Sequence, residues 1–177
     1  MKEIKLTQGK IALVDDCDYD WLNQYKWSVQ KGYAKRNDYK NNKRTTIYMH
    51  IELYLKYFGK IPEGRVVDHI DRNPLNNQLS NLRLATHAEN MRNRCKSITN
   101  TSGSKGISKY IDKKQYKDKI YINEYWKVQI TKEKKTYTKY FPYTEEGKIQ
   151  AAKWHDQKAK ELFGKFCGEL NFPDEND

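Results

Sequence analysis

The chain has 177 residues, which suits one domain or two small ones. With 37% hydrophobic and 32% charged residues its cores must be modest, favouring two small units, while 14 Tyr and 4 Trp argue against disorder. A formal charge of +11 implies a polyanionic partner, nucleic acid before membrane surface, and no apolar run approaches the roughly 20 residues of a membrane span.

In chain order, Ile4-Lys5-Leu6 and Ile11–Val14 read as short strands around a turn at Gly9. Asp18 or Asp20 is expected to cap a short helix through Trp21, Leu22 and Tyr25. Trp27–Val29 and Tyr33–Lys35 alternate about Lys31-Gly32, a hairpin signal. The polar and basic run from Asn37 to Arg44 reads as an exposed loop. From Ile47 to Phe58 the apolar positions have helical spacing, in rows Met49-Leu53-Tyr57 and Ile51-Leu55-Phe58, and Gly59 is a natural stop.

The next region, 61–95, orders strand, long turn, strand, helix. Arg65-Val66-Val67 and Leu82–Ala85 are the strands, and a turn rich in Asp and Asn separates them. Thr86 with Glu89 three residues on is a capping box. After a Ser-, Thr-, Asn- and Gly-rich linker, 96–105, come three strand-like stretches, 106–110, 125–131 and 136–141, with an insertion, 111–123, that lengthens the first turn. Glu145 and Glu146 open a helix ending near Gly164, with Ala152, His155, Ala159 and Leu162 on one face. Between 96 and 140 there are 12 lysines against 4 acids, whereas every arginine precedes Cys95. Cys17, Cys95 and Cys167 are widely separated and odd in number, so free thiols are expected rather than a zinc ribbon or disulfide framework. The first ten residues lack the apolar core of a signal peptide, so a cytoplasmic location is expected.

The dense chemical cluster is Asp68-His69, the Asn-rich turn to Asn77, Asn81-Leu82-Arg83 and Asn90 on the following helix. In order and spacing it resembles the HNH, or ββα-metal, nuclease motif of phage and bacterial homing endonucleases. The resemblance implies that Asp68 and Asn90 hold one metal ion, that His69 is the general base, and that Asn81 fixes the His69 ring. Asn90 stands where the motif's last His would be, so hard Mg²⁺ or Mn²⁺ is expected over Zn²⁺. A neutral imidazole, with an ordinary pKa near 6.5, suits proton abstraction at neutral pH. Arg83, Arg92 and Arg94, with Asn93, are expected on phosphates. His87 is a candidate auxiliary ligand or phosphate contact, against the simpler account of a solvated helix residue. His50 either approaches the site or packs at a helix start, with packing favoured. Asp71 and Asn73 read as turn formers.

The stretches 101–108, 126–130, 140–141, 151–164 and Asn171-Phe172 resemble an AP2-type DNA-binding domain over about 100–172, three antiparallel strands on one helix. That resemblance implies a sheet facing DNA, with Lys109, Lys127, Lys132, Lys134, Lys135 and Lys139 as candidate contacts. Lysine lacks the bidentate fork that arginine offers guanine, so phosphate attraction should exceed base readout. Trp126 reads equally well as a base contact or a core aromatic, and His155 as core.

The expectation is therefore an α+β chain: a mixed N-terminal segment (1–60), a ββα nuclease core (61–95), a linker (96–105) and a three-strand-plus-helix module (106–172). It would hydrolyse one strand of double-stranded DNA as a monomer, with a homodimer needed to cut both. A non-catalytic DNA-binding regulator, a dimeric restriction-type enzyme and a structured-RNA binder stay open as alternatives.

Overall fold

The alternation in the first fourteen residues folds as a hairpin: β1 (Lys2–Lys5) pairs antiparallel with β2 (Ile11–Val14), Ile4 opposite Ala12. The computed structural model describes residues 1–40 and 43–173, and the chain divides into two compact units between Met91 and Arg92. The fold is α+β. Among the described residues no helix is long and apolar enough to cross a membrane.

In the first unit, α1 (Asp16–Asn23) follows β2. Its N-cap is Asp15, not Asp18 or Asp20 as the sequence suggested. Four nearby acids are equivalent as caps on paper, and distant partners decide among them. Asp18 is 1% exposed and receives Lys56 Nζ at 2.6 Å and Tyr57 Oη at 3.0 Å, while the Asp15 carboxylate accepts the Leu79 backbone N–H at 2.7 Å. β3 (Ser28–Gln30) and β4 (Tyr33–Lys40) form the expected hairpin. Lys31 and Gly32 both have positive φ, 51° and 89°, as a two-residue turn matched to strand twist requires.

The expected loop at 37–44 is instead strand: β4 runs on to pair with β5 (Lys43–Tyr48), Asn37 opposite Thr46 and Tyr39 opposite Arg44. Residues 41 and 42 of that span lie outside the described residues. Residues 43–46 are exposed, so no burial-driven alternation marked the pairing in the sequence. α2 (Met49–Phe58) starts two residues later than its apolar spacing suggested, because Ile47 and Tyr48 belong to β5. It buries Met49, His50, Leu53 and Tyr54, whereas Leu55, Tyr57 and Phe58 face outward. Gly59 ends it at φ 74°, its N–H on the Leu55 carbonyl.

β6 (Arg65–His69) and β7 (Leu82–Thr86) pair antiparallel, with Asp68 opposite Arg83 and His69 opposite Leu82. α3 (His87–Asn93) follows directly. Its capping box forms in both directions: the Thr86 N–H donates to Glu89 Oε2 at 2.6 Å and the Glu89 N–H to Thr86 Oγ1 at 3.2 Å. Thr86→Ala is expected to lower stability by about 1 kcal/mol, read as a fall in the thermal midpoint of the first unit; an unchanged midpoint would remove the cap from the account. One apolar core joins the N-terminal elements to the ββα part: Ile4, Val14, Leu22, Trp27, Met49 and Leu53 pack with Val67 and Leu82. Buried Trp27 satisfies its indole N–H on the Leu22 carbonyl at 2.8 Å.

The second unit is a three-stranded antiparallel sheet packed on one helix. β8 (Ile107–Tyr116), β9 (Lys119–Lys132) and β10 (Lys135–Pro142) are ordered β10-β9-β8, and α4 (Glu145–Phe163) lies against them. Ile107, Trp126, Val128, Phe141, Ala151 and Ala152 make the core. Thr144 caps α4 by accepting the Gly147 N–H at 3.0 Å. Trp126 and His155 are core residues, 8% and 7% exposed. The stretch read as a lengthened turn, 111–123, is regular strand on both sides of a tight reversal. Residues 96–105 are bonded into this unit: Ser102 is buried and Lys105 Nζ donates to the Arg92 and Arg94 carbonyls.

Candidate active site

Asp68 and His69 are the last two residues of β6, so their side chains leave opposite faces of the strand. They are 5% and 4% exposed. β7 brings Arg83 across from Asp68, and its Nε donates to Asp68 Oδ2 at 3.0 Å. Arg83, expected on a phosphate, thus has at least one nitrogen committed to a carboxylate.

The turn between the strands is built by its own amides. Asp71 is the hub: its Oδ1 accepts the Asn73 N–H at 2.8 Å and Asn81 Nδ2 at 2.9 Å, and its Oδ2 accepts Asn76 Nδ2 at 2.7 Å. Asn81 is 8% exposed; its Oδ1 accepts the Asp71 N–H at 3.0 Å and its Nδ2 also reaches the Asn76 carbonyl at 2.8 Å. The loop is docked on the N-terminal hairpin through the Leu13 N–H on the Leu75 carbonyl and the Asn77 N–H on the Leu13 carbonyl, both 2.8 Å. Asn77, 1% exposed, stands with Oδ1 at 3.4 Å from His69 Nε2. So the side-chain amide of Asn81 organises the turn, and the amide beside the His69 ring is that of Asn77. Five amides in one loop look alike in sequence, and nothing there separates these two.

Aromatic rings back the histidine. The His50 ring centroid lies 5.0 Å from that of His69, and Tyr33 is 5.9 Å away on another side. His50 is buried, and its Nδ1 has no hydrogen-bond partner among the described residues. Burial, with the neighbouring His69 second, pushes the His50 pKa down to about 3. Burial also lowers the His69 pKa, against smaller upward pulls from the Asn77 hydrogen bond and from Asp71 and Asp68. Both rings are therefore neutral at pH 7. A pocket of about 340 Å³, walled by Tyr33, Tyr48, His50 and Val67, opens beside Arg65 and half-buried Asn90 of α3.

Asp68 and Asn90 offer oxygen donors of the type a hard cation takes, and Asp68 Oδ2 already accepts from Arg83 Nε. A carboxylate and an amide oxygen suit Mg²⁺ or Mn²⁺, which take further oxygens from water and phosphate. No three His, Cys, Asp or Glu side chains cluster to hold a metal among the described residues. His87 is the exposed first residue of α3. Asn93 is 5% exposed, which argues against the phosphate contact expected of it.

In the second unit Arg92 lies over the Phe163 ring at 4.2 Å, while Arg94 is exposed. Register sorts the lysines by face. Trp126, Val128 and Ile130 point toward α4, and residues directly opposite on the neighbouring strands share that side. Lys109 is opposite Trp126, and its Nζ pairs with Glu124 at 2.6 Å. Lys139 is opposite Val128 and lies 5.1 Å over the Phe141 ring. Lys132 Nζ donates to the Leu162 carbonyl near the end of α4. Lys135, opposite Lys132, lies 5.2 Å over Tyr137, and Lys134 sits in the β9–β10 turn at φ 67°. Lys127 alone of the six emerges on the open face. There it lies 5.9 Å over Tyr110, beside Tyr125 and Tyr140. This tyrosine cluster was not read from the sequence, because the register between strands sets which rings meet.

A family model described as HNH endonuclease matches residues 47–92. The chain is similar to "Uncharacterized HNH endonuclease L560" of Acanthamoeba polyphaga mimivirus, 37% identical over 162 residues that cover 90% of this chain and 74% of that protein. It is also similar to "Protein 3.8" of Escherichia phage T7, 34% identical over 118 residues, 67% of this chain and 86% of that one. No solved structure matches the chain.

Proposed function

Because the chain belongs to the HNH endonuclease family, we propose that it is a metal-dependent DNA endonuclease of the homing type, acting on double-stranded DNA as a monomer that nicks one strand. The observation that carries this is the buried Asp68-His69 pair at the end of β6, held by the amide network of the loop that follows. Nε2–H of His69 donated to Asn77 fixes the tautomer whose Nδ1 lone pair takes a proton from water. The hydroxide so formed attacks phosphorus and displaces the 3′ oxygen. Asp68 and Asn90 would hold Mg²⁺ or Mn²⁺, which supplies charge neutralisation at the phosphate and the leaving oxygen. Asn81 serves by keeping the loop in shape. His50 and Tyr33 keep water from the back of the His69 ring. Arg92, Arg94 and His87 are secondary phosphate contacts.

The second unit, in this reading, is an AP2-like DNA-holding module. Its open face, with Lys127 and the three tyrosines, is the better candidate surface than the lysines turned toward α4.

The test is cleavage of supercoiled plasmid and of genomic DNA with Mg²⁺, with Mn²⁺ and with EDTA. Metal-dependent open-circle product is expected. Linear product would point to a dimer. Salt-sensitive binding with no cutting of any DNA would sink the enzyme reading and favour a regulator.

A further inference from the structure

The β8–β9 hairpin outgrows the sheet it belongs to. β10 pairs with β9 only from Tyr125 to Lys132. Beyond that point residues 111–116 and 119–124 pair with each other, and no other described strand pairs with them. The chain reverses at Lys117 and Asp118, with Lys117 at φ 52°. Strand parity puts Ile111, Lys113, Ile120 and Ile122 on one side of this ribbon, and Lys114, Tyr116, Lys119 and Tyr121 on the other. Both sides are open: Tyr116 and Ile120 are each 66% exposed, Ile122 58% and Tyr121 50%.

A two-stranded hairpin alone is at best marginally stable in water. One that also leaves isoleucines and tyrosines bare on both faces is a surface waiting for a cover. Charge selects the cover. The ribbon holds Lys113, Lys114, Lys117 and Lys119 against Asp112, Asp118 and Glu124; Asp112 is occupied by Lys114 at 3.3 Å and Glu124 by Lys109 at 2.6 Å. A second copy would bring the same positive charge to the contact, whereas a polyanion completes it. Width selects among polyanions, since the major groove of duplex DNA admits a two-stranded ribbon. Six residue pairs at ~3.3 Å each span roughly 20 Å, the rise of about six base pairs at ~3.4 Å per base pair.

We propose that residues 111–123 are a groove-binding arm that lies along duplex DNA. Its lysines reach phosphates on either side, and Tyr116 and Tyr121, on the side of the strands that carries Lys127, meet the apolar sugar edges and thymine methyls. This rests on the proposed function, in that DNA is the substrate, but it concerns binding and not the reaction.

The experiment is therefore run in EDTA, which separates it from cleavage. Binding of a long generic duplex is measured for the wild type and for three variants. The first replaces residues 113–122 by Asn-Gly, a two-residue turn that closes Asp112 onto Asn123. The second is Tyr116→Ser with Tyr121→Ser. The third is Lys113→Gln with Lys117→Gln and Lys119→Gln. Shortening removes four residue pairs and is expected to weaken binding at least tenfold and to shrink the occluded site by about four base pairs. The tyrosine variant should bind several-fold more weakly with its salt dependence unchanged. The lysine variant should lower the slope of log affinity against log salt by about 0.9 for each phosphate lost. The exposed point substitutions decide the matter if the shortened chain fails to fold. Wild-type affinity, site size and salt slope throughout would overturn the arm. So would sedimentation showing that the ribbon variants lose only a self-association of the wild type. Absence of metal-dependent cutting by the wild type would instead remove the nuclease reading and leave the arm to be judged on its binding data.

Discussion

His69→Ala is expected to lower the rate of plasmid nicking by about 10²–10⁴-fold, the range supplied by a positioned general base, while DNA binding in EDTA is kept. Asp68→Ala should lose cutting as well, together with its dependence on Mg²⁺ concentration. The pH profile carries the same information. A proton acceptor works only when unprotonated, so the rate falls as pH drops through the His69 pKa. Burial sets that pKa below the ordinary 6.5, so the acid limb should lie below pH 6.5 and full activity above it. A His69→Ala protein that still nicks at the wild-type rate, with the same limb, would take His69 out of the mechanism.

The second large effect is structural and falls on the other unit. Gly106 has φ +74°, and a Cβ there would run into the His155 ring. That ring cannot swing aside cheaply: its Nδ1 is 3.0 Å from Asp156 Oδ1, and Asp156 also receives Asn171 Nδ2 and the Phe172 N–H. Left-handed backbone costs a residue with a side chain about 1–2 kcal/mol and overpacking about 1–3 more. Gly106→Ala should therefore destabilise the second unit by roughly 2–5 kcal/mol in urea unfolding and weaken DNA binding. Adding His155→Ala should return the overpacking part of the loss but not the backbone part. A single Gly106→Ala variant as stable as the wild type would mean that the sheet relaxes there.

What the sequence showed and what it hid divide along physical lines. The first hairpin, the capping box at Thr86 and Glu89, the stop at Gly59 and α4 are written in local spacing, and they fold as read. The cap of α1 was ambiguous because its choice lies with Lys56, Tyr57 and Leu79, far along the chain. The strands through 37–46 and 111–123 carry little buried apolar residue, so the usual alternation between core and solvent is missing from them. Asp68, His69 and Asn90 stood out as chemistry and Asp71 as a turn former, yet the place of Asn77 was invisible, because a turn rich in Asn and Asp looks the same whichever side chain meets the ring. The faces that the sheet lysines occupy could not be read for want of register. One residue of offset exchanges the two faces, and the pairing of Lys139 with Val128 is a tertiary fact.

The single core shared by the N-terminal elements and the ββα strands bears on how such a chain can be cut and recombined. β6 and β7 each add one buried side chain to a core drawn mainly from residues 4–54. A gene fragment beginning at residue 61 would carry Asp68, His69, Asn81 and Asn90 but not His50, and almost none of the hydrophobic mass that holds them in place. The portable module is therefore residues 1–91 rather than the motif, and crossovers that keep activity should fall near Arg92 and avoid the stretch between the two strands and the hairpin that supports their loop.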